Sequence, residues 1–127
     1  MIIAEFQNHV NTWMQRCFGP AISADRRERN HRFLEEALEL VQSLDCTHEE
    51  AHQLVDYVYG RPVGEMHQEM GGVMVTLAAL ANAAGLKMAR DGLAELDRIN
   101  SPEIIDKIRR KQAAKPQFSP LPGNAEV

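Results

Sequence analysis

Residues 65–85 read EMHQEMGGVMVTLAALANAAG. Met66, Met70, Val73, Met74, Leu77, Leu80, Ala81 and Ala84 recur at intervals of three and four, the spacing that stacks side chains along an α-helix. The segment Gly60-Arg61-Pro62-Val63-Gly64 breaks the chain ahead of it, and Gly85 supplies a stop. This helix is apolar over most of its circumference, so it needs cover on several sides. Gly71, Gly72, Ala78, Ala79 and Ala83 are small enough to let another helix approach closely. With few helices in one chain, a second copy is the simplest cover, and a homodimer or homotetramer is expected.

Working outward, the same period continues and no useful run of period-two alternation appears, which predicts an all-α fold of four to five helices. Ile3, Phe6, Val10, Trp13 and Met14 predict a first amphipathic helix ended by a turn at Gly19-Pro20. Ser23 is read as the cap of a second helix over residues 26–44, whose apolar stripe is Phe33, Leu34, Ala37, Leu38 and Val41. Thr47-His48-Glu49-Glu50 is a capping box for a short helix reaching residue 59. Ser101-Pro102-Glu103 starts a last helix over 104–113, with proline in the first turn and an acid near the positive end of the dipole. A single domain over residues 1–117 followed by a Pro-containing tail, 118–127, is the expected organisation.

A length of 127 residues suits one domain, and the formal net charge of −4 argues against a general nucleic-acid binder, which would cluster Lys and Arg on phosphates. Cys17 and Cys46 stand alone without metal-ligand spacing, as expected of reduced thiols in the cytoplasm. The longest apolar run, residues 73–81, is too short to span a bilayer, so no membrane association is expected. No GxxxxGK[ST] loop is present, which leaves no sign of a P-loop.

Chemistry points to the acids. Glu36 and Glu39 lie three apart on the second helix, and Glu65 and Glu69 four apart at the start of the apolar helix, so each pair shares a face. Like charges so placed repel, and a hard divalent cation that takes oxygen ligands while keeping waters for substrate phosphates relieves that repulsion. A solvated acidic stripe is the plain alternative.

These residues resemble the MazG-like all-α NTP pyrophosphohydrolase family, whose signature is EExxE on one helix and ExxD on a second. Here the first half stands as Glu35-Glu36-Ala37-Leu38-Glu39, and the second as Glu69-Met70-Gly71-Gly72 in a helix continuing VMVTLAALANAAG. The likeness covers residues 5–117 and is nearest to the short phage and proteobacterial MazG-like type with GRPVGE and SPLP segments. It implies a helical bundle completed by oligomerisation. It also implies cleavage of a (deoxy)nucleoside triphosphate to a monophosphate and pyrophosphate, with Mg²⁺ or Mn²⁺, as in nucleotide-pool housecleaning. By position, Glu36, Glu39 and Glu69 would hold the metal, and Glu35 would orient or activate water. Gly72 departs from the pattern, because the family has a ligand Asp there. Glu65 or Asp56 would replace that carboxylate, or fewer metals bind, or the chain binds a nucleotide or alarmone without turnover.

Other residues complete the expectation. Trp13 is a base-stacking wall or a core residue, and Asn82 a base contact or an interface hydrogen bond. Arg61, Lys107, Arg110 and Lys111 would grip phosphates or form surface ion pairs. His48 and His52 share i,i+4 spacing and are read as solvent-exposed on a capped helix without a zinc role. A helical interaction module is the third reading of the whole chain.

Overall fold

The computed structural model describes residues 2–116 and 118–123; Met1, Gln117 and 124–127, the end of the expected tail, lie outside the described residues. Among the described residues there are six helices and no strand: α1 (Ile3–Ser23), α2 (Arg26–Ser43), α3 (His48–Tyr59), α4 (Met66–Ala84), α5 (Met88–Ile99) and α6 (Pro102–Ala114). The all-α expectation holds. The chain divides into two compact units, residues 1–35 with 92–127 and residues 36–91, so the boundary falls inside α2 and inside α5.

In the first unit, α1 packs against α6. The indole N–H of Trp13 on α1 donates to the Ile99 carbonyl at 3.0 Å, and Arg16 donates to Asn100 Oδ1 at 2.6 Å. Arg109 of α6 grips the Arg16 carbonyl through both Nε and Nη2. Cys17 and Ile105 are buried in this unit. The helical run of α1 breaks at Gly19-Pro20 as expected, since Gly19 sits at φ 76 and ψ 178, outside helical conformation and in the region that favours glycine, and a short second helical stretch carries α1 on to Ser23.

Asp25, not Ser23, caps α2. Asp25 Oδ1 accepts from the backbone N–H of Arg27 and Glu28 at 3.1 and 3.3 Å. Ser23 instead closes α1, where its buried hydroxyl has no hydrogen-bond partner. The cap was readable, since Asp25 followed by Glu28 fits the three-residue spacing of an N-terminal box.

The helix that periodicity did not announce is α5. Gly92 lies in its middle, where glycine costs roughly 1 kcal/mol of helix propensity relative to alanine. A Cβ at Gly92 would stand 3.3 Å from Phe6 Cζ, so the missing side chain lets the α1 ring come up against α5.

Residues 36–91 differ in character. The expected capping box forms at α3: Thr47 Oγ1 accepts from Glu50 N–H at 3.1 Å, and Glu50 Oε1 accepts from Thr47 N–H at 2.8 Å. Gly85, at φ 69, ends α4 as expected. Yet of α4 only Ala81 is buried, while Met66 is 68% and Val75 69% exposed. Among the described residues, no single helix is long and apolar enough to cross a membrane.

Candidate functional site

Glu35, Glu36 and Glu39 lie on successive turns of α2, which forms because Asp25 caps it and its interior has neither Gly nor Pro. Glu35 is half-buried and its Oε1 stands 3.6 Å from Arg32 Nε. Glu36 and Glu39 are exposed. Glu69, on the first turn of α4, curls toward the preceding loop: a Cβ on Gly64 would fall 2.8 Å from its Oε1, so Gly64 leaves room for this carboxylate.

Glu65 does not extend the α4 stripe. It is the N-cap, in extended conformation at φ −96 and ψ 129, and its Oε2 accepts from Gln68 N–H at 2.9 Å. Helical register therefore starts after it, and one carboxylate oxygen serves the end of its own helix. Asp56 is exposed on α3. Among the described residues, no three His, Cys, Asp or Glu side chains converge as a ready-made metal cage. At position 72 the space is open: beyond the backbone of its own helix, a side chain there would meet no neighbour within 4 Å of its Cβ.

The remaining expected contacts separate by unit. Arg61 follows α3 and lies over the Tyr57 ring at 4.3 Å, a cation–π contact that holds the guanidinium at the surface. Asn82 is exposed on α4. Trp13 is half-buried, edge-on to Phe18 at 6.2 Å, and its one donor is engaged by Ile99. Lys107, Arg110 and Lys111 are exposed on α6, and Arg110 pairs with Asp106 at 3.1 Å.

One polar cluster went unread in the sequence. Glu28, 4% exposed, meets Lys115 Nζ at 3.0 Å in the first unit, with Arg32 Nη1 at 3.8 Å from its other oxygen. A cleft of about 290 Å³ opens beside it, lined by Asp25, Arg27, His31 and Phe118 among others. Arg27 lies over the Phe118 ring, and Arg32 also donates to the Pro120 carbonyl. The partners are 87 positions apart in sequence, so no local pattern announces the pair.

Burial acts on two further groups in this unit. It raises the Cys17 thiol above its ordinary value, against the opposing pull of Arg109, Arg16 and Arg29. It lowers the Arg29 guanidinium, which stacks on Phe18 at 4.7 Å. In residues 36–91, the Thr47 backbone N–H and hydroxyl hold the Glu50 carboxyl below its ordinary value.

Set against known proteins, the chain matches no family model, and no curated protein or solved structure is significantly similar to it.

Proposed function

We propose that this protein is a Mg²⁺-dependent nucleoside triphosphate pyrophosphohydrolase of the MazG-like type, acting as a homo-oligomer. The observation that carries the reading is charge placement. Residues 36–91 hold nine acidic and three basic side chains, whereas the rest of the chain holds nine and eleven, giving −6 against +2. Within that acidic unit, Glu36, Glu39 and Glu69 are exposed, and neither Glu39 nor Glu69 makes an ion pair among the described residues.

The donor set fits the ion. Mg²⁺ is commonly held by one or two carboxylates with waters and substrate phosphates, not by a closed protein cage. Glu36 and Glu39, one turn apart on α2, would meet that need, and Glu69 of α4 would join as third donor only on approaching them when the ion and substrate bind. Bound there, the cation would neutralise charge on phosphate oxygens. Glu35, 3.6 Å from Arg32 on the same helix, would orient water. The exposed apolar surface of α4 supports assembly, since large apolar patches on a chain mark interaction sites.

Pyrophosphate release from a panel of canonical and modified NTPs and dNTPs, with Mg²⁺ or Mn²⁺, tests the proposal. Wild type should release product, EDTA should stop it, and Glu39→Ala should lose activity by about 100-fold or more. A second reading rests on Gly72, which brings no carboxylate to the site: nucleotide binding without turnover. It expects silence in the panel but a higher Tm with nucleotide and Mg²⁺. Gly72→Asp separates the two, because the open space at 72 accepts the side chain and the added ligand should tighten Mg²⁺ binding. If neither metal nor nucleotide moves the Tm, the acidic face is only solvated and the chain is an interaction module.

A further inference from the structure

The first turn of α3 carries a feature outside the acidic site. His48 Nε2 and His52 Nε2 stand 3.1 Å apart, while the ring centroids are 4.3 Å apart at an interplanar angle of 67°. The nitrogen tips are thus closer than the rings, so the two imidazoles meet at their Nε2 atoms. Both side chains are exposed to solvent.

Zinc–imidazole bonds run 2.0–2.1 Å, and two such bonds across a 3.1 Å nitrogen separation close an N–metal–N angle of about 95–102°. That lies between the right angle of square-planar or octahedral sites and the tetrahedral angle, so the nitrogen separation suits one ion, and ring rotation would aim both lone pairs at it. We propose that His48 and His52 form a two-imidazole chelate for a borderline divalent transition-metal ion, Cu²⁺, Ni²⁺ or Zn²⁺, with water in the other positions.

Without metal, one Nε2–H donates to the other Nε2. For both to ligate, the donor ring must free its Nε2 lone pair by passing that proton to its own Nδ1 or to water. Imidazole suits these ions and not Mg²⁺, which separates the chelate in chemistry from the carboxylate site. Its backbone is already set, because the Thr47–Glu50 box fixes the turn from which His48 projects. Glu49 beside it and Asp56 one turn past His52 add negative charge without completing a cage. Chelation across this turn would clamp the start of α3.

The test is calorimetric titration of the full chain with CuCl₂, NiCl₂, ZnCl₂ and MgCl₂, run on wild type, His48→Ala, His52→Ala and His67→Ala. One transition-metal ion per chain should bind wild type and His67→Ala alike. Each of the other variants should bind about tenfold or more weakly, since the second imidazole then no longer closes the ring as an intramolecular event. Cu²⁺ electron paramagnetic resonance should show two imidazole nitrogens in wild type and one in either variant. Equal affinity in all four proteins, no binding to wild type, or competition by equimolar Mg²⁺ would overturn the proposal. None of these readouts depends on pyrophosphohydrolase activity, so this idea and the preceding one fail separately.

Discussion

Residues 1–35 with 92–127 and residues 36–91 contrast in how they are held. The first unit buries Cys17, Glu28 and Ile105 and is stapled across long sequence distances by Trp13 to Ile99, Arg16 to Asn100, Arg109 to Arg16 and Lys115 to Glu28. The second buries Ala81, leaves Met66, Met70 and Val75 largely exposed, and ties its backbone with local caps at Thr47 and Glu65. It also carries the excess of acid. On the function proposed above, a cation would neutralise the excess charge of the second unit and a second copy would cover its apolar surface, while the first unit is held by its own long-range contacts.

The largest expected effect on folding tests the self-sufficient unit. Lys115→Ala should destabilise the protein by about 3 kcal/mol in urea unfolding, because it leaves Glu28 buried without its close partner. Replacing both residues by Met should cost less than that single change, since the pair is worth little against apolar packing of similar volume. A loss under 0.5 kcal/mol for Lys115→Ala would show that the pair does not hold this unit.

Assembly tests the incomplete unit. Met70→Glu and Val75→Glu, made separately because five residues place them on different sides of α4, should leave helical circular dichroism unchanged. At least one should lower the mass in light scattering from dimer or tetramer to monomer. A monomeric wild type would break the contrast, for α4 would then tolerate exposure.

Smaller is the response to acid. The Glu50 carboxyl titrates below its ordinary 4.5 in the folded chain, so the folded state binds fewer protons than the unfolded one. Its stabilisation is complete above that unfolded value and is lost as pH falls through the lowered folded value. Glu95 in the other unit, held down by its bond to Arg98, behaves with the same sign. Glu50→Gln should remove part of the acid dependence of Tm seen between about pH 5 and pH 3, and Glu95→Gln a further part. Unchanged acid profiles would show that neither bond persists in solution.

Thiol chemistry gives the finest distinction. Cys17 is buried and its thiol is raised, whereas Cys46 is half-buried beside the α3 cap. A disulfide reagent should modify one thiol per chain quickly and the second only on unfolding, with Cys46→Ser abolishing the fast phase. Two fast thiols would mean that the first unit opens readily.

The all-α class, the α3 box, the Gly85 stop and the Ser101 start of α6 were determined by sequence alone, because each rests on residues within a turn of one another. Periodicity and caps are local physics, and they survive any tertiary context that does not oppose them. What the acids do locally was also legible: Glu36 and Glu39 share a helix face wherever α2 goes. Tertiary structure decided the rest. It made Gly92 the place where Phe6 meets α5, and made Glu65 a cap instead of part of the α4 stripe. It brought Lys115 to Glu28 across 87 positions and buried the carboxylate. Such contacts are chosen by the packing of distant segments, where the cost of burying a charge is settled only once its partner arrives, and no window of sequence contains both.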